Sequence, residues 1–298
     1  MDKRKFRDII CTKLMLIVTI FVSILFFLIF FSLLNGSSLI LGEYPITDLL
    51  FSSVWKPRGG EFGLFAVIIG TLIVTGFSLL IAVPISLLSA VYIVEYAPKR
   101  IRRMVRPFID VLAGVPSVVY GLCAYIVLVP LVRDFIAPYF GVTASAGTCV
   151  FTASLTLSVM VFPIIISLSV ESFSAVPYEL KEASLSVGAT KWETVRKVIF
   201  RASAPGILSA ILLGFGRAFG ETIAVNMVIG NQAVIPSSIF NQGQTLASLI
   251  ASSYHELMSI PRLESALMFV ALVLFIVVLI FNLLGVLILR RTKRRWSF

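Results

Sequence analysis

Charge is what this 298-residue chain has little of: 13% of its residues are Asp, Glu, Lys or Arg, against 58% hydrophobic ones, and its mean hydropathy is +1.02. A soluble globule of this length needs far more polar surface than that, so a soluble enzyme or binding domain is excluded. Histidine and cysteine are almost as scarce, with one His and three Cys. Cys11, Cys123 and Cys149 have no metal-type spacing, lie near or within apolar runs, and read as small packing residues. His255 falls in a polar connecting segment and reads as solvated. The chain also lacks a G-x-x-x-x-G-K-[ST] phosphate cradle and any cluster of acid, base and nucleophile. We therefore expect no catalytic residue, no metal site and no cofactor, and read the chain as a non-enzyme.

What is there instead is apolar sequence in long runs. A hydrocarbon core of ~30 Å takes about 20 helical residues. Runs of that order occur at Leu14 to Leu34, Phe65 to Val94, Phe108 to Val132, Thr148 to Val170, Ala202 to Ile229 and Ser265 to Leu289. Six spans put both ends of the chain on one side of the membrane. The first run follows a basic leader, but it is longer than the ~7–15 residues of a signal-peptide core and no small-x-small site closes it, so we expect a retained helix.

Basic residues set the orientation. Lys3, Arg4, Lys5, Arg7 and Lys13 precede the first span; Lys99, Arg100, Arg102, Arg103 and Arg106 join the second to the third. Lys181, Lys191, Arg196, Lys197 and Arg201 join the fourth to the fifth, and Arg290, Arg291, Lys293, Arg294 and Arg295 close the chain. These four groups of five hold 20 of the 25 Lys and Arg, all on alternate connections, while the opposite side has only Lys56, Arg58, Arg133 and Arg262. The positive-inside rule places both termini and the polar 171–201 loop in the cytoplasm. The net charge of +10 and the pI of 9.8 are then accounted for by topology and contact with anionic lipid, and no nucleic-acid partner is implied. Arg217 is the one basic residue left inside a span.

The 171–201 loop reads as helix, turn, helix. Pro177 suits a first helical position, an apolar face repeats through Leu180, Ala183 or Ser184, and Val187, and Gly188 suits the left-handed residue that ends a helix. Thr190 precedes Glu193 by three residues, the capping-box pattern, and Trp192, Val195 and Ile199 continue a second apolar face. On physical grounds alone such a loop suits a connector lying on the lipid headgroups.

The string Glu182-Ala183-Ser184-Leu185-Ser186-Val187-Gly188-Ala189 resembles the coupling loop of ABC-importer permeases. Ser184 stands where that motif usually has its second Ala, and Arg201 where the family usually has Pro. The resemblance implies that Glu182, Ala183, Gly188 and Ala189 dock into a cytoplasmic ATPase subunit, which alone binds ATP. Small residues permit close docking, Gly permits the turn, and the carboxylate offers a charge-assisted contact.

Three more strings narrow the resemblance: Val94-Glu95-Tyr96-Ala97-Pro98, the run from Leu112 to Gly121, and Gly214 to Val225 followed by Gly230-Asn231. They resemble the phosphate-specific importers, the last favouring the PstC-type permease over its PstA-type partner. The family implies an all-α polytopic fold: six transmembrane helices, with an extra N-terminal helix before a type I ABC-importer core. Residues 1–63 would be the tail, first helix and outer loop, 64–290 the core, and 291–298 a basic tail. Implied partners are a homologous second permease, two cytoplasmic ATPase subunits and an extracytoplasmic phosphate-binding protein, in a bacterial-type inner membrane. The binding protein would meet the outer loops 35–62 and 231–263.

Two sets of residues inside the spans complete the candidates. Counting from Ala202, Arg217 lies roughly 20 Å along its helix at ~1.5 Å per residue, at or past the bilayer midplane. A charge there costs at least ~2.5–3.5 kcal/mol and must face a partner or water. Glu221, four residues on, is expected on the same helical face. The pair is either an internally neutralised packing device or part of an anion route; the resemblance supports the second, with Arg217 and Glu221 as substrate-pathway residues. Gly214, Gly216 and Gly220 give this span a close-packing face. Gly114 and Pro116 interrupt the third span, where freed backbone groups need neighbours or water. A permease for molybdate, tungstate or sulfate is the alternative within the class. An ion-coupled secondary transporter predicts further intramembrane carboxylates and an internal repeat of discontinuous helices, neither of which the sequence offers.

Overall fold

The computed structural model describes residues 3–142 and 146–296, so Ser297 and Phe298 of the basic C-terminal segment lie outside the described residues. In chain order the helices begin with α1 (Lys3–Gly36) and the short α2 (Ser38–Glu43) and α3 (Ile46–Phe51), followed by a hairpin of β1 (Trp55–Lys56) and β2 (Glu61–Phe62). Then come α4 (Phe65–Tyr96), α5 (Lys99–Gly114), α6 (Ser117–Tyr139) and α7 (Val150–Ser174). The remainder is α8 (Tyr178–Ser186), α9 (Lys191–Ala202), α10 (Ala204–Gly220), α11 (Ile223–Val228), α12 (Leu246–Leu257) and α13 (Pro261–Trp296). Helices α1, α4, α6, α7 and α13 are each long and apolar enough to cross a membrane, and α10, bent by 72° from α9, supplies a sixth crossing. Because α9 keeps Lys191, Arg196, Lys197 and Arg201, the crossing part of this pair is α10 with α11 beyond it.

Two of the expected spans are redrawn. Phe108 to Gly114 do not open the third span. They finish α5, a basic amphipathic helix with Met104, Phe108 and Val111 exposed, and the crossing begins only at Ser117. The reason is local: Pro116 forbids an unbroken helix, since the residue before proline is pushed out of the α region, and Val115 sits at φ −66°, ψ 131°. The fifth span is likewise not continuous to Ile229. Its helix stops at Gly220, Glu221 is extended at φ −71°, ψ 118°, and the chain resumes helical geometry at Ile223.

The centre of the bundle is the pairing of α4 with α7, whose facing surfaces are rich in small and hydroxyl side chains: Thr71, Thr75 and Ser78 on α4, Thr152, Ser154 and Thr156 on α7, all buried. Several of these hydroxyls are satisfied within their own helix, as when Thr71, Ser154 and Thr156 donate to the carbonyl one turn back at 2.8 Å. Small satisfied side chains let two backbones approach where lipid offers no hydrophobic driving force. A cluster of Val74, Leu157, Val161, Ile165, Ala218 and Val225 draws α10 and α11 onto this pair.

The segments 35–64 and 231–263 form a packed cap, not open connectors. Ile40, Leu49 and Leu64 are buried against Leu246 and Leu249 of α12 and Val270 of α13, and α12 opens with a reciprocal cap between Thr245 and Ser248. His255 is exposed on α12. Of the cysteines only Cys149 is buried; Cys11 and Cys123 are exposed, so the expected packing role holds for one of the three. By contrast α1 is peripheral, packing through Phe26 and Phe30 on Phe275 of α13 at ring separations of 5.2 and 5.9 Å.

The glycines of α10 divide. A Cβ on Gly214 would stand 2.8 Å from Ile165 and 3.0 Å from Val161, so this residue seats α10 on α7, whereas Gly220 meets nothing within 4 Å and Gly216 only Asn282 at 4.0 Å. The close packing expected of Gly216 and Gly220 is therefore carried inside this chain by Gly214. Gly214→Leu is expected to destabilise the purified protein by about 1–3 kcal/mol, seen as a lower Tm in detergent, while Gly220→Ala leaves Tm unchanged.

Candidate functional site

Two regions carry the candidate residues, one at the basic end and one within the bundle. At the basic end, α8 presents Glu182 and Ala183 on its exposed surface, and none of its residues is buried. It ends as the sequence suggests. Gly188 adopts φ +86°, and the Gly188 and Ala189 amides donate back to the carbonyls of Leu185 and Ser184 at 3.0 and 3.3 Å. Thr190 then caps α9: its hydroxyl accepts from the Glu193 amide, and the Glu193 carboxylate accepts from the Thr190 amide at 3.0 Å. That backbone hydrogen bond, helped by Lys197 and the Thr190 hydroxyl, holds the Glu193 carboxyl down to about 2, so the cap persists across the physiological pH range and is lost only as pH falls through that value.

The turn is apolar as well as exposed. Val187 is 83% exposed, with Leu185, Tyr178 and Trp192 uncovered around it. The segment is thus a tight helix–turn–helix held by a capping box and tipped with exposed apolar side chains.

Within the bundle, Arg217 sits in the last turn of α10, partly buried, in a groove of about 460 Å³ lined by Ile164, Leu212, Leu213, Gly216, Asn282 and Val286. Glu221 does not share its helical face. The break at Gly220 turns Glu221 onto the next segment, where its Oε1 accepts from the Ala224 amide at 3.2 Å and so caps α11. Among the described residues no ion pair joins Arg217 to Glu221. The expected i, i+4 pair is thus replaced by two charges at a helix break, a cation at a C-terminal end and a carboxylate at an N-terminal start, each opposite in sign to the local backbone dipoles. Thr222 completes the repair by donating to the Gly220 carbonyl at 3.1 Å.

Gly114 and Pro116 lie beside this region. Tyr120 donates to the Leu112 carbonyl at 2.9 Å, beside the Val115 amide that also donates to it at 3.3 Å. Gly121 meets Ala224 and Met227 of α11, so the start of the third crossing is packed against the segment that follows the break in the fifth.

With this geometry in place, the comparisons are informative. Residues 82–297 match the family described as "Binding-protein-dependent transport system inner membrane component". The chain belongs to that permease family. Among curated relatives, the "Phosphate transport system permease protein PstC" of Haemophilus influenzae is 36% identical over 90% of this chain and 92% of its own length. The "Probable phosphate transport system permease protein PstC" of Methanocaldococcus jannaschii is 33% identical over 99% and 98%. Among solved structures, a bacterial ABC transporter involved in import of the acidic polysaccharide alginate aligns over 97% of this chain and 99% of its own at a TM-score of 0.61, with 15% identity. The inward-facing MetNI methionine ABC transporter aligns over 80% and 99% at a TM-score of 0.56, with 19% identity. At those identities the structures establish the fold alone, the all-α permease fold of ABC importers.

Sequence reasoning about this permease missed three participants. Asn282 lines the Arg217 groove from α13, Tyr120 bonds back to the Leu112 carbonyl, and Lys181 was counted only as a topology charge although its ammonium donates to Glu95 at 2.6 Å, 86 residues away. A lone carboxylate closing an apolar span was the available signal for Glu95.

Gly188→Val forces a β-branched residue into the left-handed region at a cost of about 1–3 kcal/mol, which is expected to unwind the turn. The measurement is limited proteolysis of the loop, with faster cleavage between α8 and α9 and an unchanged helical content by circular dichroism.

Proposed function

We propose that this permease is the membrane subunit of an ATP-driven importer of inorganic phosphate. The observation that carries the reading is the coincidence of near full-length similarity to two phosphate-system permeases with a partly buried cation, Arg217, that faces a groove and is not spent on Glu221. An anion entering a low-dielectric bundle must exchange water for such a charge.

In the proposed cycle two cytoplasmic ATPase subunits hold the 182–192 turn, a homologous second permease closes the other side of the path, and an extracytoplasmic phosphate-binding protein delivers its load at the outer cap. ATP is bound and hydrolysed by the ATPase subunits, and this chain supplies no nucleotide chemistry. Closure of the ATPase dimer carries the turn inward, the crossings reorient, and phosphate passes from the outer mouth to the region of Arg217. Glu221, by capping α11, keeps the break in register while Arg217 is engaged. Both termini and the coupling turn face the cytoplasm, in agreement with the basic residues of α5, α8 and α9.

The test is ATP hydrolysis by the complete complex in proteoliposomes, with the binding protein offered phosphate, sulfate or molybdate in turn. Stimulation by phosphate alone is expected. Equal or greater stimulation by another oxyanion overturns the substrate and keeps the architecture; no ATPase subunit bound to the permease overturns the importer. Arg217→Ala is expected to abolish phosphate uptake with the complex still assembled, and normal uptake in that variant would assign Arg217 to packing alone.

A further inference from the structure

The two halves of the coupling turn are fastened in different ways. α9 sinks Val195 and Ile199 into a cluster with Ala90, Val91 and Ile93 of α4 and with Val170 and Phe173 of α7. α8 sinks nothing. Its attachments among the described residues are polar: Ser184 and Thr194 share a hydroxyl hydrogen bond at 2.9 Å inside the loop, and Lys181 donates to Glu95 at 2.6 Å. A third contact secures the start of α9, where the Lys191 ammonium stands 4.6 Å from the centroid of the Tyr96 ring.

The Lys181 and Lys191 contacts therefore end on adjacent residues of one turn. That turn, Tyr92–Tyr96, is π-helical; it is closed by the Ala97 amide donating to the Tyr92 carbonyl at 2.7 Å and stopped by Pro98. A π turn inserts a residue and so re-aims the side chains after it, an arrangement retained in proteins mostly where the new direction is used. Here it coincides with the point at which α4 meets the loop. The Lys181 and Glu95 side chains are only 17% and 12% exposed, unlike the surface pair of Lys197 and Glu193 at 64% and 42%. A shielded pair is screened little by salt, and removing one member leaves the other charge stranded.

We infer that Glu95 and Tyr96 are a latch that couples displacement of α8 and of the turn that follows it, through Lys181 and Lys191, to the membrane helix α4, with Glu95 and Lys181 as positioning residues for transport. The inference rests on the proposed reading that the 182–192 turn takes the ATPase stroke. α4 is the helix most extensively packed on α7, so a pull on its end is delivered to the centre of the bundle. With the latch open, α8 pivots on the Gly188 turn while α4 stays behind, and ATP is spent without a matching movement of phosphate.

The experiment measures, in one preparation of proteoliposomes holding the complete complex, both ATP hydrolysed and radiolabelled phosphate imported. Wild-type hydrolysis that rises with phosphate upholds the underlying importer reading; its absence overturns that reading and the latch with it. Given that response, Glu95→Gln and Lys181→Met are each expected to retain the ATPase subunits on purification and to lower phosphate imported per ATP by roughly fivefold or more. The exchanged pair, Glu95→Lys with Lys181→Glu, is expected to recover most of the ratio. An unchanged ratio in both single variants overturns the latch, as does a loss that the exchange fails to repair. If the charge variants do not assemble, Tyr96→Leu decides: it keeps the ion pair and removes only the ring, and a ratio equal to wild type overturns the proposal.

Discussion

Backbone hydrogen bonding inside a membrane is the constraint on which this structure turns. Lipid offers no donors or acceptors, so every amide and carbonyl released where a helix stops has to find a partner in the protein. The chain stops twice within its crossings' neighbourhood and repairs each stop with named side chains: Tyr120 on the Leu112 carbonyl at the Gly114 to Pro116 interruption, and Glu221 and Thr222 on the Ala224 amide and Gly220 carbonyl at the break in the fifth crossing. Because Gly121 of α6 packs on Ala224 of α11, the two repairs support each other. Arg217 acquires its position from this arrangement, at the end of a helix that terminates inside the bundle.

The same logic explains why α4 and α7 form the centre. Buried Thr71, Ser154 and Thr156 bond within their own helices, leaving small side chains between surfaces that fit closely. α10 joins through Gly214, and the outer loops close the top as an ordered lid of Ile40, Leu49 and α12. At the basic end the contrast between a buried α9 and an uncovered α8 leaves a small element whose position is set by a few polar contacts.

The fold was legible wherever local chemistry decides structure. Apolar run length gave the crossings, and Gly188, Thr190 and Glu193 gave the turn and its cap, because left-handed geometry and capping involve residues a few positions apart. The break at Glu221 was not legible: no proline marks it, and Gly220, Glu221 and Thr222 lie within a run long enough to be read as one continuous span. The start of the third span was misplaced for a related reason, since Phe108 to Gly114 are apolar enough to cross but belong to a helix held at the surface by its basic residues. The contact of Lys181 with Glu95 joins positions 86 residues apart, a separation at which spacing carries no information. Of the candidate site, then, the coupling turn was readable in shape, while the relation of Arg217 to Glu221 depended on a break that only the folded chain reveals.

The peripheral α1 bears on how such a molecule is assembled. α1 precedes every other described crossing, and its main contacts are with the short α2 beside it and with α13, far along the chain. Made before α13, it has to wait in lipid while the intervening helices are synthesised before this partner arrives. The apolar run from Leu14 to Leu34 is suited to that wait, and the stacking of Phe26 and Phe30 on Phe275 forms only after the intervening helices are in place.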